Sequence, residues 1–471
     1  MSSTELYSIV PMIVLSVFPI AIMLSVAVKR NHEVIFATSL IGLGAAFYSL
    51  FPVSEYIPVK AASLLMIDSY TLFFWGLLIV AAFFTTLISY NTLKIAEENK
   101  EEFYIILFIA LLGSSILVAS IHFVSFFLGL EILSVSLYAL ISYLRKNEIA
   151  VEAGVKYLIL AAVSSAFLLF GMALIYYEFG TMDFYQLGNA LNKVGFSAVS
   201  IGGFALMIVA VGFKLAVVPF HMWTPDVYEG ASSPVTAFIA TISKGGMFAL
   251  LLRFFGIIDG YKFGDLILVF SIIAISSMFI GNWLALLQNN VKRILAYSSI
   301  AHLGYLLVAF LAGGNLAAEA VAFYLVAYFI TTIGAFGVVA ILSTKEREAY
   351  RLEDYKGLFW RHPWLATIFT AMLFSLAGIP LTAGFIGKFY VLAAGVNETL
   401  WTLVIILAIN SAIGLFYYLR IIVEMFTRKE AEEVKVRFSL VSSFALIILT
   451  LMLIYFGIFP SNLMSVIKIM I

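Results

Sequence analysis

Four charged residues sit inside apolar stretches long enough to cross a bilayer: Glu131 in "SFFLGLEILSVSLYAL", Lys214 in "GFKLAVVPFHMWTP", Lys244 in "VTAFIATISKGGMFAL" and Lys388 in "GIPLTAGFIGKFYVL". A charge at the centre of a membrane helix costs about 2.5–3.5 kcal/mol on insertion scales, so one that persists faces the bundle interior or water and marks a pathway. Three amines and one carboxylate cannot all pair. Desolvation disfavours the ammonium form, and a surplus of buried amines is therefore expected to exchange protons near neutral pH. The chemistry open to this set is proton carriage from one side chain to the next. The plainer alternative for any single lysine is a snorkelling or structurally paired amine, and Lys156, four residues past Glu152 near the inner end of its span, is open to that interfacial reading.

His302, in "YSSIAHLGY", lies beside Tyr297, Ser298 and Ser299. The cluster could relay protons toward Lys388, or His302 could be a hydrogen-bonded packing residue. His221 and His122 fall near helix ends and read as structural, while His32 and His362 are loop residues. Pro219 follows Lys214 on what reads as the same helix, and Pro380 precedes Lys388. Each proline removes a backbone donor and interrupts the helical ladder. The carbonyls so freed are tolerated at membrane depth only where protein or an aqueous cavity covers them. Cation and break are thus expected on one hydrated path, with Gly384 and Gly387 adding pliancy before Lys388; prolines that merely kink helices for packing are the alternative.

The elements that hold these residues are membrane helices. The chain has 471 residues, of which 63% are hydrophobic and 11% charged, with a mean hydropathy of +1.08, far above the apolar usage of soluble domains. Fourteen spans are expected, at 6–28, 34–51, 70–90, 103–120, 122–144, 156–177, 199–222, 231–252, 265–285, 292–312, 320–343, 363–396, 400–423 and 438–459. Loops after odd-numbered spans carry 17 Lys and Arg, against 5 after even-numbered spans and in the tail. The positive-inside rule then places both termini on the non-cytoplasmic side. Glu5 is the only charge before the first apolar run, which reads as a retained helix rather than a signal peptide.

The absence of cysteine excludes disulfides, thiolate metal sites and cysteine-ligated iron–sulfur clusters. Zero net charge and no basic face argue against nucleic acid. No phosphate-cradling or dinucleotide-binding glycine motif appears, nor histidine spacing suited to haem or zinc. The chain has charges to move and nothing of its own to drive them, so an ion gradient or a partner must supply the power.

"FKLAVVP" at 213–219 aligns with "FSLAGIP" at 374–380, and the same offset of 161 residues carries the fourth to eighth spans onto the ninth to thirteenth. Five spans is an odd number, so the second copy must be inverted, the plan of secondary transporters with broken helices at the pathway. The expected fold is an all-α polytopic membrane protein of 14 transmembrane helices, with two inverted five-helix repeats and breaks in the seventh and twelfth. The expected segments are 1–100, an N-terminal three-helix unit; 101–260 and 261–425, the two repeats; and 426–471, a C-terminal helix.

"FKLAVVPFHMWTPDVYEGASSPVTAFIATISK", "AYSSIAHLGY" and "LAGIPLTAGFIGKFYVL" resemble the antiporter-like subunit N of the proton-pumping NADH–quinone oxidoreductases, respiratory complex I, over essentially the whole chain. The resemblance implies that Glu131 and Lys214 form a proton-loading pair, that Lys244 is the central carrier and that Lys388 leads to the exit. Lys156 falls where this family has a lysine. It further implies a bacterial or archaeal cell membrane, neighbouring antiporter-like and small helical subunits together with lipids, and no cofactor in this chain, with quinone and NADH or another donor used by partner subunits. A subunit of a cation/proton antiporter, for which a carboxylate at position 388 would speak, a related hydrogenase-type complex and a scaffold that binds only lipid and neighbours remain as other readings.

Overall fold

The computed structural model describes residues 2–96, 100–344, 348–428 and 439–471. Thirteen helices in it are long and apolar enough to cross a membrane. The interval expected to hold the twelfth span instead contains two fifteen-residue helices, Pro363–Ala377 and Ala383–Asn397. Five spanning helices, from Glu102–Ala119 to Ser233–Ile257, precede Gly264–Leu286, as the repeat requires.

Burial grades outward from the middle of the bundle. The central windows of Ser233–Ile257 and Gly314–Leu342 are wholly buried, and Val291–Ala312 nearly so. Val10–Val28, Glu148–Phe179 and Leu440–Ile458 are mostly open at the periphery. With apolar residues all round, such outer helices suit a lipid or protein neighbour rather than water. The three enclosed helices carry Lys244, His302 and the tyrosines Tyr324 and Tyr328.

Both breaks fall earlier than the prolines suggest. Ala198–Leu215 ends with Ala216 left-handed at φ 59°, and the Val217 N–H closes on Gly212 O at 3.0 Å. Pro363–Ala377 ends with Gly378 at φ 86°, and the Ile379 N–H closes on Phe374 O at 2.9 Å. Each closure spans five residues, the Schellman arrangement that satisfies terminal carbonyls. The physical reason is that a residue preceding proline is driven out of the helical region, so the helix must close before it. Pro219 therefore lies in the turn after the helix of Lys214 rather than on it. Val218 N–H is fixed there by Ser277 Oγ at 2.9 Å.

Gly384 is not part of the second break. It sits in the first turn of the restarted helix, where a Cβ would stand 2.0 Å from Ser375 O. Its missing side chain lets the two half-helices touch, with the Gly384 N–H donating to Ser375 Oγ at 3.0 Å; close approach, not pliancy, is what it provides.

Several elements were not foreseen. An antiparallel hairpin pairs Val59–Ala61 with Leu65–Ile67. An amphipathic helix, Phe184–Val194, buries Phe184, Leu187, Gly188 and Leu191, the i, i+3, i+4, i+7 stripe of one helical face. The helix Ser233–Ile257 contains a π-helical turn, Ile239–Ser243, immediately before Lys244.

Candidate functional site

Lys214, Lys244, His302 and Lys388 are buried, at 2%, 1%, 3% and 6% exposure. Each lysine finds neutral oxygen acceptors. Lys214 Nζ donates to Ser134 Oγ at 3.0 Å and Tyr157 Oη at 3.1 Å. Ser134 is one helical turn beyond Glu131, which places the two on one helix face. Glu131 itself accepts from Ser165 Oγ, so carboxylate and amine are neighbours without an ion pair among the described residues. Lys214 is the penultimate residue of its helix, where the macrodipole favours a cation.

Lys244 Nζ donates to Ser299 Oγ at 2.5 Å and stands 5.4 Å from the centre of the Tyr228 ring, whose hydroxyl lies 3.3 Å from the same Ser299 oxygen. The π turn before it is buttressed from outside, because Ser114 Oγ donates to Ile242 O at 2.9 Å. Gly246 permits this close packing, since a Cβ there would meet Ser114 Oγ at 2.1 Å.

One helical turn beyond Ser299, His302 is held between two phenols, with Nδ1 2.6 Å from Tyr324 Oη and Nε2 3.1 Å from Tyr418 Oη. A cavity of about 10 Å³ lies between His302, Tyr324, Tyr328, Thr331, Ser375 and Lys388, at the lower limit for holding one water. Lys388 borders it on the far side. Its Nζ reaches back across the break to Ala377 O at 2.9 Å and to Ser411 Oγ at 2.8 Å, so the second half-helix supplies the cation that caps the first. Beyond Lys388, a larger cavity of about 310 Å³ is bordered by Gly378, Phe389, Leu392, Ser411 and Leu415.

The structure thus brings Lys244, Ser299, His302 and Lys388 into one polar string. It sets the Glu131–Lys214 group beside that string, and no hydrogen bond among the described residues joins the two groups. Lys156 stands apart from both. Its side chain is 44% exposed at the rim and bonds Glu152 at 2.7 Å and Asp226 at 2.9 Å. His122 caps its helix by accepting from the Val124 N–H at 3.1 Å, and His32 meets Tyr104 Oη at 2.9 Å. His221 is buried in the turn after Ala216.

Sequence reasoning missed two buried cations. Lys292, counted there among loop residues, is 0% exposed, because its helix starts at Val291 and the chain around Tyr350 folds over it. Arg253 is likewise buried, paired through both terminal nitrogens with Asp68 at 2.9 and 2.7 Å and donating to Val118 O at 3.1 Å. Burial works against the Asp68 carboxylate, but Arg253 and Thr71 more than offset it and hold its pKa below the ordinary value. The tyrosine partners of His302 and the lysines were also invisible, since 24 tyrosines are spread along the chain without a motif. Among the described residues, no group of three or more His, Asp or Glu side chains is arranged to hold a metal.

Residues 120–414 match the family model described as NADH:quinone oxidoreductase/Mrp antiporter, TM. The chain is 50% identical to NADH-quinone oxidoreductase subunit N of Nitrosospira multiformis, over 98% of this chain and 96% of that protein. It is 46% identical to the protein of the same name from Ectopseudomonas mendocina, over 91% of this chain and 88% of the relative. Among solved structures, a chain of respiratory complex I from Thermus thermophilus superimposes with a TM-score of 0.83 at 30% identity, covering 97% of this chain and 98% of that one. A chain of the Mrp complex from a Dietzia species shares the fold, with a TM-score of 0.87 at 18% identity over 99% and 97% of the two chains. By its matched core and by relatives that span nearly its full length, the chain belongs to the NADH:quinone oxidoreductase/Mrp antiporter family of membrane subunits, on the subunit N branch.

Proposed function

We propose that this chain is a proton-translocating membrane subunit of a bacterial complex I-type NADH–quinone oxidoreductase and that its buried charges carry the proton. NADH oxidation and quinone reduction belong to partner subunits; this chain, without a cysteine for an iron–sulfur cluster, contributes no redox step. Its peripheral helices face lipid and other membrane subunits, and both termini lie on the non-cytoplasmic side.

The observation that carries the reading is Lys244, an amine 1% exposed at the bundle centre that donates to a serine hydroxyl rather than to a carboxylate. A structural ion pair would fix its proton; a neutral partner leaves the proton free to move. A proton enters past the rim near Lys156, passes from Glu131 and Lys214 to Lys244, and leaves by Ser299, His302 and Lys388. The small cavity between His302 and Lys388 is at the lower limit for the one bridging water such a transfer uses. Glu131 and Lys214 supply the control. At an effective dielectric of about 20, unit charges about 4 Å apart interact by about 4 kcal/mol, roughly three pH units of proton affinity. Closing that pair, which stands open here, changes the field felt by the next amine.

Reconstituted complex carrying Lys244→Ala is the direct test. Quinone reduction with few or no protons moved by this subunit is the expected result; an unchanged H+/e− ratio refutes the route. A lysine rather than a carboxylate at position 388 weighs against the cation antiporter reading.

A further inference from the structure

Lys292 has three donors and three acceptors, all inside the fold. Its Nζ meets Glu348 Oε2 at 2.5 Å, Glu229 O at 3.0 Å and Ala231 O at 2.6 Å. The two carbonyls belong to the end of the short helix Thr224–Gly230. Glu348 comes from the connection between Gly314–Leu342 and the broken helix, and it accepts from the Ser233 N–H at 3.0 Å and Ser233 Oγ at 3.3 Å. Ser233 opens the helix that carries Lys244, whose own N-cap residue, Ser232, makes no side-chain cap. Glu348 is therefore a cap delivered from the other repeat, with its charge at the positive end of the helix dipole.

The spacing gives this clasp a target. Lys292 lies seven residues before Ser299, two turns of one α-helix, and Ser233 lies eleven before Lys244 with the π turn Ile239–Ser243 between them. The clasp and the Lys244–Ser299 bond thus join the same two helices, the clasp at their starts and the bond farther in. Around the clasp the charges alternate. Glu229 accepts from Asn290 Nδ2 at 2.8 Å and Arg293 Nη1 at 2.6 Å, Arg293 also meets Asp226 at 3.0 Å, and Asp226 meets Lys156. Burial works against the Asp226 carboxylate, but Lys156 and Arg293 outweigh it and keep its pKa below the usual range.

On the basis of the proposed proton route, we infer that Lys292 and Glu348 are positioning residues for Lys244. They fix the start of its helix against Val291–Ala312, and so set how firmly Ser299 holds the Lys244 amine. Neither residue touches the proton's path. A second repeat thereby trims a carrier that belongs to the first.

The test uses intact complex in vesicles, comparing Glu348→Gln, Lys292→Met and the double variant. Glu348→Gln keeps an acceptor for the Ser233 N–H and removes only the charge. The groups facing Lys244 (Tyr228, Ser299 and His302) are untouched in all three, as are Glu229, Arg293 and Asp226 at the rim. The expected result is preserved electron transfer with the pH midpoint of pumping displaced by about half a unit, about a threefold change in proton affinity. The double variant should be no worse than the worse single, as for residues acting as one unit. A wild-type pH profile in assembled variants, or single effects that simply add, overturns the inference. Where Lys292→Met prevents assembly, Ser233→Ala, which deletes only the hydroxyl bond, is read instead; a smaller displacement in the same sense supports the clasp and none refutes it. Normal pumping by Lys244→Ala would instead sink the route itself, whereas a dead Lys244→Ala beside unaffected rim variants sinks only the positioning role.

Discussion

Ser299→Ala probes the proposed proton route at the Lys244 amine. In the structure, Ser299 Oγ accepts from Lys244 Nζ at 2.5 Å, and the amine is 1% exposed with the Tyr228 ring 5.4 Å away. Deleting the hydroxyl leaves the ammonium form without that acceptor in a site closed to bulk water. A hydrogen bond to a charged group is worth about 1.5–3 kcal/mol. At about 1.4 kcal/mol per pH unit, the alkaline limb of proton pumping should move toward acid by about one to two units. The assay is NADH-driven acidification of vesicles containing the reconstituted complex, measured from pH 6 to pH 9 and normalised to electrons passed. Ser299→Thr keeps the hydroxyl and should retain most of the wild-type profile. If Ser299→Ala and wild type give superimposable profiles, Ser299 does not hold the mobile proton's carrier and the reasoning fails.

Two further outcomes follow from the packing. Gly384→Ala places a Cβ 2.0 Å from Ser375 O, a backbone atom that cannot swing aside; the half-helices must separate, at about 1–3 kcal/mol, seen as a lower thermal transition of the complex and weaker pumping. A wild-type transition temperature contradicts the close approach. The Asp68–Arg253 pair predicts a defined acid window. Because the folded pKa of Asp68 is lowered, its stabilisation is fully present above the unfolded value of about 3.9 and is lost as pH falls through the folded value. Hydrogen-exchange protection of the Val59–Ile67 hairpin should therefore hold from pH 7 to pH 5 and drop below about pH 4, while Asp68→Asn shows reduced protection with no such drop. Loss of wild-type protection already at pH 6 is the contrary result.

The broad fold was readable because lipid imposes a simple rule. Nearly every spanning helix is a long apolar run, and a charge inside one stands out against it, as Lys214, Lys244 and Lys388 do. What escaped reading is what depends on partners distant in the chain. The helix of Lys214 ends at Leu215, four residues before the proline that announces the break, because the turn that closes on Gly212 needs the residues between them, and residue type does not mark where that turn begins. Lys292 looked like an ordinary inner-loop cation until Glu348, 56 residues away, folded onto it. The π turn before Lys244 leaves no mark in residue type, since "IATIS" would serve equally in an α-helix. The separation of Lys156 from the buried string was open in the sequence, where four residues from Glu152 fit a rim pair as well as a pathway.

The enclosure of the apolar stretch of Ser233–Ile257 has a consequence for how the polypeptide is made. A helix bearing a central lysine is a poor candidate to dissolve alone in lipid, by about 2.5–3.5 kcal/mol for the amine. Two of its neighbours, Val291–Ala312, met through Ser299 and Phe310, and Gly314–Leu342, are synthesised after it. Its settled insertion must wait for segments still on the ribosome. The amino-terminal half cut off before Gly264 should accordingly be a substrate for membrane quality control, despite holding one whole copy of the repeat.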